Sequence, residues 1–90
     1  MLDVIWGLED DPDGNIQHIA EHGVTPDEVE EVLNDPFSQT AYSRSSGRPI
    51  TFGWSSTGRY LAVVWELVEG DPPRAYPVTA YPTREPDEDV

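Results

Sequence analysis

The chain has 90 residues, 18 of them acidic and 5 basic, for a formal net charge of −13. That length predicts a single domain, and the lack of cysteine excludes a disulfide-stapled secreted scaffold, thiolate catalysis and zinc–thiolate sites. No apolar run reaches the ~18 residues of a transmembrane helix and no basic segment leads into an apolar one as in a signal peptide, so a cytoplasmic protein is expected.

The charge is unevenly spread. Residues 1–35 hold eleven acids and no arginine. Residues 36–84 hold three acids against Arg44, Arg48, Arg59, Arg74 and Arg84, and residues 85–90 hold four acids; lysine is absent. A field of this sign repels phosphate backbones at long range. A local arginine patch still acts within the ~8 Å over which salt leaves charges unscreened.

In chain order, residues 2–6 (Leu-Asp-Val-Ile-Trp) predict a short first strand, and residues 9–14 a turn. Asn15 to His22 predicts a short helix with Ile16, Ile19 and Ala20 on one face, capped by Asp13 and ended by Gly23 in the left-handed conformation. Thr25-Pro26-Asp27-Glu28 is a capping box, with Thr25 at the N-cap, Pro26 first in the helix and Glu28 reaching back. Val29, Val32 and Leu33 form the apolar stripe of this second helix. Asp27, Glu28, Glu30 and Glu31 complement its dipole and predict a solvated face, with binding of a basic partner as the functional alternative. Asn34-Asp35-Pro36 ends it.

Strands are expected next at Gln39–Ser43, Pro49–Ser55, Arg59–Val68 and Arg74–Tyr81. The third is apolar at nearly every position, the pattern of a central strand. Pro77 within the fourth calls for a sheet edge or a bulge, because proline cannot donate to the ladder. The tail, residues 85–90, is acidic and expected to be disordered. The fold class is therefore α+β: a short N-terminal strand, two helices, then a three- to four-stranded antiparallel sheet, in one domain over residues 1–84. Trp6, Trp54, Trp65, Phe37 and Phe52 are read as core rather than as base-stacking platforms, since each buries ~150–250 Å².

Several short motifs occur in a telling order. They are Trp6; Asn15-Ile-Gln-His-Ile-Ala-Glu-His-Gly23; Val24 through Pro36; Gly47-Arg48-Pro-Ile-Thr-Phe-Gly53; Gly58-Arg59-Tyr-Leu-Ala-Val-Val64; and Val78-Thr-Ala-Tyr81. Together, over roughly residues 4–84, they resemble the BrnT family of bacterial toxins, within the RelE/ParE-like ribonuclease superfamily. The resemblance implies a mostly antiparallel sheet with helices on one side, metal-independent cleavage of mRNA, and control by a cognate antitoxin. Three features depart from the family pattern: the missing lysine, Tyr81 in place of a final arginine, and Pro82 to Val90 where the family has a closing helix, which Pro82 and Pro86 disfavour.

Cleavage of that kind needs arginines to hold the phosphate bidentately and groups to move two protons. Arg48, Arg59 and Tyr81 are the candidate catalytic residues. The Arg44-Ser45-Ser46-Gly47 loop, with Arg84, is the candidate substrate-binding set, since hydroxyls and amides there lie beside guanidiniums. The plain alternative is that these arginines pair with the acidic helices. His18-Ile-Ala-Glu21-His22 matches a zinc-protease spacing, but the helix ends at once and no third ligand stands out. His22 is read instead as a cation at the helix C-terminus, and no metal or cofactor is expected.

Two functions follow. One is an endoribonuclease toxin with weakened or lost activity, for which the arginines should converge on one face. The other is a non-catalytic, acidic protein-binding module on the same fold, for which they should scatter. The expected partner is an antitoxin-like protein, with RNA bound only if the chain is catalytic, no membrane contact, and a monomer or weak homodimer.

Overall fold

The computed structural model describes residues 3–7 and 14–84. Asp13, most of the expected 9–14 turn and the 85–90 tail lie outside them. The described elements are β1 (Asp3–Val4), α1 (Asn15–Ala20), α2 (Pro26–Asn34), β2 (Gln39–Tyr42), β3 (Pro49–Trp54), β4 (Tyr60–Val68) and β5 (Arg74–Pro82). The α+β order matches expectation, and all four later strands form.

These strands make one sheet in the order β1-β5-β4-β3-β2. Consecutive strands from β2 to β5 pair antiparallel, whereas β1 joins the far side of β5 in parallel, with Asp3 opposite Arg74 and Val4 opposite Ala75. β4 is central, as its apolar run predicts. Pro77 sits at a shift in register: Val64 opposes Thr79 but Trp65 opposes Pro77, so Val78 is the extra residue of a bulge. The bulge accommodates the proline; among the described residues β1 pairs only with Arg74 and Ala75 and so stops short of it, and the proline ring is fully buried.

Both helices pack on one face of the sheet. Ile19 and Val24 from α1 and its exit, and Val29 and Val32 from α2, meet Leu61, Val63 and Ala80 in a closed aliphatic core. Burying such side chains contributes roughly 1.5–3 kcal/mol each. The capping box forms as its sequence requires: the Glu28 N–H donates to Thr25 Oγ1 at 3.3 Å and the Thr25 N–H donates to Glu28 Oε1 at 3.2 Å. α1 differs from expectation in three ways. It ends at Ala20 and continues as a turn through Gly23, which is left-handed (φ 73°). Its N-cap is Gly14, without a side-chain cap. Ala20 faces solvent, while Asn15 is buried. Asn15 is there because it staples β1 to the helix. Its Nδ2 donates to the Ile5 carbonyl and its Oδ1 accepts from the Gly7 N–H, both at 2.9 Å.

The aromatic residues do not form the core. Trp6 and Trp65 flank it, with indole N–H groups donating to Glu30 Oε2 and Thr51 Oγ1 respectively. Register places Ile50, Phe52 and Trp54 beside Tyr60, Ala62 and Val64 on the face opposite the helices. There Phe52 stacks on Tyr60 (centroids 6.4 Å apart) and Trp54 tilts against the same ring (5.2 Å). Trp54 is 49% exposed and Phe37 90%. A chain this short has one covered sheet face, and compact aliphatic groups fill it.

Gly53 shows how closely α2 approaches the sheet. A Cβ at that position would collide with Ser38 Oγ and come 3.3 Å from Val32 Cγ1, and Ser38 Oγ is itself held by donating to the Val32 carbonyl at 2.7 Å. Gly53→Ala is therefore expected to lower stability by about 1–3 kcal/mol in urea titrations. Most of that loss should vanish in a Ser38→Gly background; an equal loss in both backgrounds would place the strain elsewhere.

Candidate functional site

The most densely bonded polar group described is the Glu28 carboxylate, whose side chain is 5% exposed. The capping box holds its backbone at the N-terminus of α2. The β3–β4 turn, which Gly58 permits with φ 83°, brings three donor residues down onto it. Thr57 Oγ1 donates to Oε2 at 2.6 Å, Ser55 Oγ at 3.1 Å and Arg59 Nε at 3.2 Å, while Arg59 Nη2 donates to Oε1 at 2.6 Å. The same Nη2 also donates to the Gly23 carbonyl at 2.6 Å, so one guanidinium ties the end of α1, the start of α2 and the turn together. The Arg59 contact is the main reason the Glu28 carboxyl titrates at about 2, below its ordinary 4.5; burial opposes that shift, and the bonds from Thr57, Thr25 and Ser55 reinforce it. Arg59 is correspondingly raised, chiefly by its bond to Glu28. A carboxylate held this firmly in its charged form is a poor proton acceptor near neutral pH.

The candidate residues divide between the two ends of the sheet. Arg48 lies where its strand would oppose Glu66, and its Nε donates to Glu66 Oε1 at 2.8 Å. Arg44 is in the adjoining turn, and Arg74 begins β5 opposite Val68 at that same end. Arg59 precedes Tyr60 at the opposite end of β4, and Arg84 follows Thr83, whose N–H donates to the Tyr60 carbonyl. With ~3.3 Å per strand residue, Arg48 and Arg59 stand roughly 20 Å apart. One phosphate cannot bridge them.

Tyr81 falls at the Arg59 end, opposite Ala62. Its ring meets the ring of His22 edge-on, with centroids 6.1 Å apart. His22 thus packs on β5 just beyond α1, a contact that the helix-end reading of this residue does not include. The contact joins positions far apart in the chain, and the sequence carries no local signal for it.

The 44–47 loop is exposed along its length, and several of its polar groups bond to one another. Ser43 Oγ lies 3.1 Å from Ser45 Oγ and accepts from the Ser46 N–H, the Gly47 N–H donates to the Ser43 carbonyl, and the Arg48 N–H donates to Ser46 Oγ. The N–H groups of Ser46, Gly47 and Arg48 are thereby bonded within the loop. On the acidic face of α2, Glu28 is buried while Asp27, Glu30 and Glu31 are exposed as expected; Glu30 also accepts from Trp6, and Glu31 Oε1 accepts from the Ser56 N–H at 3.1 Å. Among the described residues, no three His, Asp or Glu side chains gather in a way that would hold a metal ion, and no helix is long and apolar enough to cross a membrane.

None of the family models, curated proteins or solved structures compared with this chain matches it.

Proposed function

We propose that this chain is a BrnT-like protein of a bacterial toxin–antitoxin type system that acts by binding an antitoxin-like protein and does not cut RNA. The ordered motifs support the family reading, as does a mostly antiparallel sheet with both helices on one side. One observation carries the non-catalytic part: Arg59 is committed to Glu28 and the Gly23 carbonyl. Arg48, the other arginine assigned to phosphate, lies at the far end of the sheet in an ion pair with Glu66. A phosphorane needs two or more converging donors, and a net charge of −13 works against gathering RNA.

The ribonuclease alternative keeps one specific support. His22 and Tyr81 touch at the end of the sheet where Arg59 and Arg84 stand, which brings an imidazole, a phenol and cations into one neighbourhood. Tightly controlled induction in a bacterial host distinguishes the two. The binding reading expects normal growth and unchanged total mRNA at high soluble expression. Growth arrest with mRNA loss, relieved by His22→Ala or Tyr81→Phe, would establish the nuclease in its place.

A further inference from the structure

Among the described residues, β2 is an edge strand that nothing covers. It ends the sheet, all four of its residues are exposed, and among the described residues nothing pairs with its outer side. Natural edges are normally blunted by charge, proline or a bulge; Gln39-Thr40-Ala41-Tyr42 has none of these. The Ser43 N–H donates inward to the Arg48 carbonyl at 2.9 Å, which sets the alternation of the ladder. Gln39 and Ala41 therefore direct their backbone groups toward β3, while Thr40 and Tyr42 direct theirs outward. The Thr40–Thr51 hydroxyl contact of 2.8 Å agrees, since directly opposed side chains approach closest at non-hydrogen-bonded pairs.

We propose that this edge is a self-association surface on which a second copy of the chain adds its own β2 antiparallel, giving one continuous ten-stranded sheet (five strands from each copy). A two-fold axis perpendicular to the sheet passes between the two Ala41 residues, whose small side chains let the strands approach. Thr40 of each copy then exchanges both backbone bonds with Tyr42 of the other, so every outward donor and acceptor of the strand is matched.

Charge singles out a second copy as the occupant. The stretch from Pro36 to Trp65 has no acidic residue in an otherwise strongly acidic chain, so β2 and the strand beside it bring no carboxylate of their own to the seam. In the Ala41-centred register, Arg44 of one copy reaches the turn of the other that holds Asp35 and the 90% exposed Phe37. That turn offers a carboxylate and an aromatic ring to a guanidinium. Symmetry makes the contact twice. Tyr42, 71% exposed, gains Thr40 of the other copy as a cross-strand neighbour.

Sedimentation equilibrium of the intact chain, from micromolar to millimolar concentration, tests the proposal. The mass should rise from 10.1 kDa toward twice that value, and Thr40 and Tyr42 amide exchange should slow as concentration increases. Tyr42→Pro removes an outward donor without breaking a β2–β3 bond and should weaken association at least tenfold with the far-UV spectrum unchanged. Arg44→Glu should weaken it also. A mass fixed at the monomer value up to millimolar concentration would overturn the proposal, as would a dimer that survives in folded Tyr42→Pro. Protection of the two amides only after a basic partner protein is added would assign the edge to that partner and overturn self-pairing.

Discussion

Glu28→Ala is expected to destabilise the fold by about 2–4 kcal/mol, the sum of a lost helix cap and lost hydrogen bonds to a charged acceptor. In a domain this size such a loss lowers the melting temperature by on the order of 10–20 °C. The substitution removes the reciprocal bond of the capping box and leaves Ser55, Thr57 and Arg59 without their common acceptor. The loss stays below that of breaking a fully buried ion pair, because the Arg59 side chain is 36% exposed and water can take over its solvation. Arg59→Met is the complementary change. It leaves the carboxylate buried with hydroxyl and amide donors only, so its pKa should climb back toward the ordinary range. Thermal melts at neutral pH, with the carboxyl titration followed by NMR, check both. A wild-type melting temperature in Glu28→Ala would mean that the turn and the two helices are held by the apolar core alone.

Glu28 also marks how far the sequence can be read. The capping box, the stripe of α2, the central strand and the need for a bulge at Pro77 are each set by residues within one element, where local geometry governs. Glu28 was legible as a cap for that reason. Its second role depends on Ser55, Thr57 and Arg59, 27 to 31 positions away, and no periodicity or spacing reports a contact across that distance. The same limit separates Arg48 from Arg59 as candidate phosphate ligands. They look alike as Gly-Arg motifs that open strands, but antiparallel pairing of β3 with β4 sends two such strand starts to opposite ends of the sheet. Likewise β1 was legible as a strand, while its parallel place beside β5 depends on where the bonds of Asn15 direct the chain. The Ser45–Ser46–Gly47 turn carries the same limit. Composition gives the donors, but whether they face inward or outward is decided by the turn geometry.

Acid should expose the Glu28 contribution through its pH dependence. The folded-state pKa of this carboxyl is lowered to about 2 from 4.5, so the folded state favours the charged form more than the unfolded state does. Its stabilisation is therefore complete above the unfolded value and is lost as pH falls from about 4.5 through about 2, an amount of about 3 kcal/mol by proton linkage. The wild-type profile alone will not display this cleanly. At a net charge of −13 mutual repulsion opposes the compact state, and protonating exposed carboxylates relieves it over the same range. The difference in unfolding free energy between wild type and Glu28→Gln cancels that shared background. It should be constant from pH 7 to pH 5 and then shrink by about 2–3 kcal/mol by pH 2. A difference that stays flat down to pH 2 would show that the Glu28–Arg59 contact, though present in the fold, does not distinguish the charged carboxylate from the neutral one.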